Sequence, residues 1–125
     1  ASWSAKGRQK MPGTIVLSEQ LKRFMRTFGI SHTELARVVG ASDRTMMRWL
    51  ADDMYPQRES RDKIDELEGL VRRLHETFTT PEGAAAWLHS RSGYFGGLCP
   101  LDALLQGRID AVEAALEALD AGVFV

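Results

Sequence analysis

The stretch "GASDRTMMRWL", Gly40 to Leu50, places a glycine, a capping serine, two arginines and a tryptophan within eleven residues. Two readings compete for it: a turn followed by an ordinary surface helix, or the turn and second helix of a helix-turn-helix whose polar face enters a DNA groove. The flanking residues bear on the choice. Upstream, "SHTEL" sets Ser31 three residues before Glu34, the capping box that opens a helix. That helix buries Leu35, Ala36, Val38 and Val39 and stops at Gly40, where a left-handed backbone is least costly. Ala41 alone separates this glycine from Ser42, the cap of a further helix that runs to about Ala51 with Met46, Trp49 and Leu50 on its apolar face. Ala36 is small where two helices approach, Gly40 turns the chain, and Met46 and Trp49 project back. Two helices crossing steeply around a tight turn require this spacing, so helix-turn-helix is preferred to an unrelated helical hairpin.

With those four residues inward, Ser42, Asp43, Arg44, Met47 and Arg48 line the face offered to the major groove. Arg44 and Arg48 are four apart on that face; each suits a bidentate contact to guanine O6/N7 or a phosphate clamp. Ser42 and His32 stand at helix starts, where side chains and backbone N–H groups hold phosphate oxygens. Asp43 repels phosphate; favouring its own helix dipole is the preferred role, accepting from a cytosine N4 the alternative. Lys22, Arg23, Arg26 and Arg37 serve either as backbone contacts or as a solvated face.

Charge is divided along the chain. The formal net charge is -1, but residues 1–58 hold ten Lys and Arg against five Asp and Glu, a net of +5. Residues 59–125 hold six against twelve, a net of -6. A basic half and an acidic half suggest two surfaces with different partners. The 125 residues make one domain, or two small helical modules sharing a core, with an apolar fraction of 44%. No apolar run reaches the length of a membrane span. A lone Cys99 excludes an internal disulfide and points to a reducing, cytoplasmic setting. "ASWSAKGRQK" lacks the apolar core of a signal peptide. Residues 1–16 are set aside as an appended or flexible arm, leaving 17–58 as the helix-turn-helix module and 59–125 as a second helical module.

The rest of the chain reads as helices too. Leu17, Leu21, Phe24, Met25 and Phe28 recur on one helical face, with Ser18 and Glu19 near the start and Gly29 as the stop. A loop from Asp52 to Gln57, containing Pro56, leads to a long helix capped near Ser60 and ending near Phe78. Its face of Ile64, Leu67, Val71, Leu74 and Phe78 serves either the core or a dimer seam. Thr80-Pro81-Glu82 opens a short helix through Trp87 to about His89. After the glycine-rich "SRSGYFGGLC", Pro100 starts a helix that ends at Gly107. A last helix, about Ile109 to Ala121, shows Ile109, Val112, Leu116 and Leu119 on one side and stops at Gly122. No strand pattern occurs, and the fold class is all-α.

No catalytic set emerges. Cys99 has no partner that spacing justifies, His75 and His89 have no metal-ligand spacing to each other, to His32 or to Cys99, and "GYFGG" lacks the lysine of a phosphate loop. Neither metal nor cofactor is expected, and no enzymatic activity.

The first half resembles the Xre-like helix-turn-helix repressors through "TELARVVGASDRTMMRW". That resemblance carries base contact onto Ser42, Asp43, Arg44 and Arg48, and phosphate contact onto His32. The second half resembles the Xre/MbcA/ParS toxin-binding domain in the order of its motifs: Ala86-Trp87-Leu88, a glycine loop, Pro100-Leu101-Asp102-Ala103-Leu104-Leu105, and a closing "ALDAGVFV". Its loop, "RSGYFGGLCP", departs from the family's usual "N--L-G--P". Together the resemblances span roughly 17–125. They imply the antitoxin of a type II toxin–antitoxin pair, usually partnered with a RES-domain toxin that consumes NAD. Such a protein represses its own operon by binding operator DNA with the first half and neutralises toxin with the second, as a homodimer or a hetero-oligomer with toxin. Toxin contact then falls on Trp87, Leu101, Asp102 and the apolar tail Val123, Phe124 and Val125, which alternatively folds back on its own domain. The alternatives are a stand-alone repressor without a toxin and a helical adaptor that has lost DNA binding.

Overall fold

The computed structural model describes residues 16–122, apart from the side chain of Tyr94. Most of the N-terminal arm and the tail Val123–Val125 lie outside the described residues. Within them the chain is helical, with no strand. Helices α1 (Leu17–Phe28), α2 (His32–Val39) and α3 (Asp43–Leu50) come first, then the long α4 (Arg58–Thr77). Helices α5 (Pro81–Leu88), α6 (Pro100–Leu105) and α7 (Ile109–Asp120) complete the order, with a single 3-10 turn at Gly93–Phe95 inside the glycine-rich loop.

The turn between α2 and α3 is built as its sequence requires. Ser31 accepts from the Glu34 N–H at 3.1 Å, and Glu34 accepts from the Ser31 N–H at 2.9 Å, completing the capping box. Gly40 adopts φ 74°, and the N–H of Ala41 reaches back to the Ala36 carbonyl at 2.8 Å. This is the bond pattern of a left-handed helix stop, and a side chain at Gly40 would strain it. Ser42 then caps α3 through the Thr45 N–H at 3.0 Å.

Helix α1 begins at Leu17, with Val16 at the cap position, and near that start, as expected, lies Ser18. It is buried inside the first turn, where its hydroxyl donates to Asp52 Oδ2 at 3.0 Å. Asp52 follows α3 with φ 59°, a conformation that aspartate tolerates better than most residues. Helix α4 starts at Arg58 rather than near Ser60, and Gln57 at its cap makes no side-chain bond. Pro56 disfavours helix only at the residue before it, which frees the chain to turn helical directly after Gln57.

Helix α4 acts as the spine. Its 20 residues span about 30 Å at 1.5 Å per residue. It packs against α1 and α2 and most extensively against α7. Ile64, Leu67, Leu70, Val71 and Leu74 are buried along it, which assigns the apolar face of α4 to this core. One continuous apolar cluster runs from Phe24 and Phe28 of α1 through Met46 and Trp49 of α3 to Leu104 of α6 and Leu116 of α7. Each large side chain so buried contributes about 1.5–3 kcal/mol relative to exposure. On α7, Ala115 takes a fully buried place and Leu119 is left half-buried. Polar ties reinforce both seams: Glu68 of α4 receives Gln20 and Arg23 from α1, and Arg73 of α4 meets Asp120 of α7 at 3.0 Å.

Candidate DNA and partner-protein interfaces

Helix α3 divides its side chains as the turn geometry demands. Met46 and Trp49 are buried at 0% and 2% exposure, against α1 and α2. Ser42, Asp43, Arg44, Met47 and Arg48 are all exposed on the other side. Among the described residues, neither Arg44 nor Arg48 meets a carboxylate, so both guanidinium groups stand open to an outside acceptor. Met47, also on this side, is apolar with 48% of its surface exposed. Lys22, Arg26 and Arg37 are also exposed, whereas Arg23 is held by Glu68 and belongs to the α1–α4 seam.

The starts of α2 and α3 lie side by side. Asp43 Oδ1 accepts from the Thr33 hydroxyl at 2.9 Å, and the same oxygen lies 3.2 Å from His32 Nε2. The preferred reading of Asp43, a carboxylate favouring its own helix dipole, is therefore incomplete. It sits in the first turn of α3 but also ties that turn to the first turn of α2. Thr33 was not singled out by the sequence reading; a hydroxyl beside His32 at a helix start was the signal available for it.

The motif residues of the second half are largely turned inward. Trp87 is half-buried and packs on Phe78, with ring centres 5.9 Å apart. Leu101 is 8% exposed and belongs to the core. Asp102 closes the start of α6. Its Oδ2 accepts from the Cys99 thiol at 3.1 Å and from the Cys99 backbone N–H at 3.2 Å. Those two donors, the thiol first, hold the Asp102 carboxyl below the ordinary carboxylate value. Leu101 and Asp102 thus have internal partners that fix the glycine-rich loop onto α6.

That loop, α6 and α7 border an open groove of about 400 Å³, lined by Phe95, Leu98, Ala103, Gln106, Arg108, Asp110, Ala111 and Ala114. Leu98 is 51% exposed at its edge. Neither Phe95 nor Leu98 was singled out from the sequence. The available signal was an apolar residue directly after Gly96-Gly97, where a solvated loop would carry a polar one. Val123, Phe124 and Val125 lie outside the described residues. No group of three or more potential metal ligands occurs among the described residues, and no described helix is long and apolar enough to cross a membrane.

Comparison with known proteins bears on both halves. Residues 73–122 match the family model described as the antitoxin Xre/MbcA/ParS C-terminal toxin-binding domain. The match begins inside α4 and covers α5, α6 and α7. A probable mycobacterial cidal antitoxin of Mycobacterium tuberculosis is 32% identical over 101 residues, covering 81% of this chain and 85% of that protein. The mycobacterial cidal antitoxin MbcA of Mycobacterium bovis is 28% identical over 113 residues, covering 90% of this chain and 99% of its own. Among solved structures, the crystal structure of the M. tuberculosis MbcT–MbcA toxin–antitoxin complex contains a similar chain. The TM-score is 0.61 at 28% identity, over 90% of this chain and 100% of that one. Coverage on this scale extends well beyond the residues matched by the family model. By its sequence and its all-helical structure, this chain belongs to the Xre/MbcA/ParS family of antitoxins.

Proposed function

We propose that this protein is the antitoxin of a type II toxin–antitoxin pair, binding and neutralising a cognate toxin with its second half and repressing its own operon with its first. The observation that carries the reading is its likeness, along 90% of its length, to a chain of a toxin–antitoxin complex. Toxin binding is assigned to the α5–α7 side, where the groove beside Leu98 gives an apolar edge for a partner and Trp87 of α5 stands half-exposed. Leu101 and Asp102 support that surface from within. Val123, Phe124 and Val125 extend it as apolar anchors at the toxin, which is of the NAD-consuming RES type.

DNA binding is assigned to the exposed face of α3. Arg44 and Arg48 reach base edges or phosphates, Met47 adds an apolar contact on the same side, and Ser42 and His32 approach the phosphate backbone. The protein works in the cytoplasm as a homodimer or in a hetero-oligomer with toxin. Co-expression with the product of the adjacent gene tests the first assignment: the two proteins should co-purify, and growth arrest by the toxin should be relieved. A gel shift with DNA from upstream of the gene tests the second. Failure to co-purify combined with an intact gel shift would leave a stand-alone repressor.

A further inference from the structure

The contact between Asp43 and the start of α2 has a consequence for the proposed DNA site, on which this inference rests. His32 and Thr33 occupy the first turn of α2, the end of a helix where backbone N–H groups point outward and anionic oxygens are favoured. A DNA phosphate arriving there would draw on the Thr33 hydroxyl and on His32 Nε2. Both already converge on Asp43 Oδ1, at 2.9 and 3.2 Å. A carboxylate and a phosphate are both anionic oxygen acceptors, so they compete for the same donors. The two side chains of the His32–Asp43 pair are 42% and 53% exposed, so the contact is open to exchange with an incoming anion rather than sealed.

We infer that Asp43 is an internal competitor for the phosphate-contact donors of this site, holding His32 and Thr33 against itself and restraining sequence-independent binding to DNA. Its negative charge acts in the same sense, because an approaching phosphate meets it at close range. A residue that read a base, or merely positioned His32, would do the opposite: its loss would weaken binding.

The test measures affinity of the full-length protein for two duplexes of equal length, one from upstream of its gene and one of random sequence, over a range of salt concentrations. Asp43→Asn and Asp43→Ala should both raise affinity for the random duplex about two- to fivefold at low salt. The slope of log affinity against log salt should steepen by roughly one. In a His32→Ala, Thr33→Val background the Asp43→Asn change should give a smaller gain, because the donors it would release are gone. Unchanged melting temperatures and helical circular dichroism establish that the variants are folded; Asp43→Asn keeps a polar residue at the helix start should Asp43→Ala prove unstable. Weaker binding of either folded variant to either duplex overturns the inference, as does a gain of equal size in the background lacking both donors. If wild type binds the upstream duplex and Asp43→Asn leaves both affinities unchanged, the inference fails while the DNA-binding assignment stands. If no variant and no wild-type protein binds either duplex, the DNA-binding assignment itself fails and takes the inference with it.

Discussion

Helix α3 and helix α6 are both short helices that carry the signature residues of their half, yet they use them in opposite ways. On α3 the signature is split: Met46 and Trp49 anchor the helix, and Arg44, Met47 and Arg48 remain outside. On α6 nearly the whole signature is internal, with Pro100, Leu101, Ala103 and Leu104 buried and Asp102 engaged by Cys99. The two arginines proposed to meet DNA have no carboxylate partner among the described residues and stay open to an outside acceptor. A helix that shapes a neighbouring loop needs no such open groups, and its residues act through the loop they hold. The signature of α6 therefore marks architecture beneath a surface, and the surface itself is formed by Leu98, Phe95 and the face of α7.

The comparison breaks most readily at Trp49. Its side chain is 2% exposed, and Nε1 is buried without a hydrogen-bond partner among the described residues. Trp49→Ala should destabilise the protein by about 3–5 kcal/mol, read from urea or thermal unfolding. Trp49→Phe should cost distinctly less, because it removes the unpartnered N–H together with part of the volume. A melting temperature for Trp49→Ala equal to wild type would mean that the inward face of α3 is not the one described.

A matched pair separates the two halves of the α6 argument. Leu101→Ala should cost about 2–5 kcal/mol of stability, as a truncation in a packed core. Leu98→Ala, at an exposed loop position, should change stability by no more than about 0.5 kcal/mol, yet weaken association with the toxin. Equal stability effects at the two sites would erase the distinction between an internal signature and an outer surface.

On α3 the expectation inverts. Arg44→Ala and Arg48→Ala should each weaken binding to the upstream DNA by about 1–3 kcal/mol if they contact guanines. Stability should shift by no more than about 0.5 kcal/mol, since neither side chain has an internal partner. Charge reversal at both positions should abolish repression and leave toxin neutralisation intact, which a reporter assay beside a toxicity assay resolves.

These contrasts also mark what a single sequence makes legible. Ala36, Gly40, Met46 and Trp49 were readable because inwardness is local: the 3.6-residue period and the turn geometry assign each residue to a face of its own helix. Ser31, Ser42 and Thr80 were readable as caps because a cap and the N–H it serves are three residues apart. What escaped was contact between separate elements. Ser18 lies near a helix start as read, but its bond to Asp52, a carboxylate from beyond α3, was not visible. Asp43 looked like a dipole partner of α3, but its Oδ1 also serves the first turn of α2. Leu101 and Leu98 are both leucines in one loop-and-helix segment, and only the packing of α6 against α2 and α7 sends one inward and the other out. The candidate DNA face was therefore largely visible in sequence, whereas the groove beside Leu98 required the assembled fold.

The smallest effect should come from the cap that closes α6, and it carries a sign that tests its origin. Asp102 accepts from the Cys99 thiol and backbone N–H, and those bonds favour its ionised form. Its pKa in the folded protein is therefore depressed below the ordinary value of 3.8. A depressed carboxylate contributes stability that is fully present above its unfolded pKa and is lost as pH falls through the folded one. Asp102→Asn should accordingly be less stable than wild type at neutral pH, and the gap should narrow on acidification below about pH 4, as the native carboxylate takes up its proton. Cys99→Ala should reproduce part of the loss, because it removes the thiol donor and leaves the backbone N–H in place. Urea unfolding at a series of pH values would show both trends. A gap between wild type and Asp102→Asn that stays constant into acid would mean that the carboxylate's charge contributes nothing to the cap, and that Asp102 holds the loop only as a neutral acceptor would.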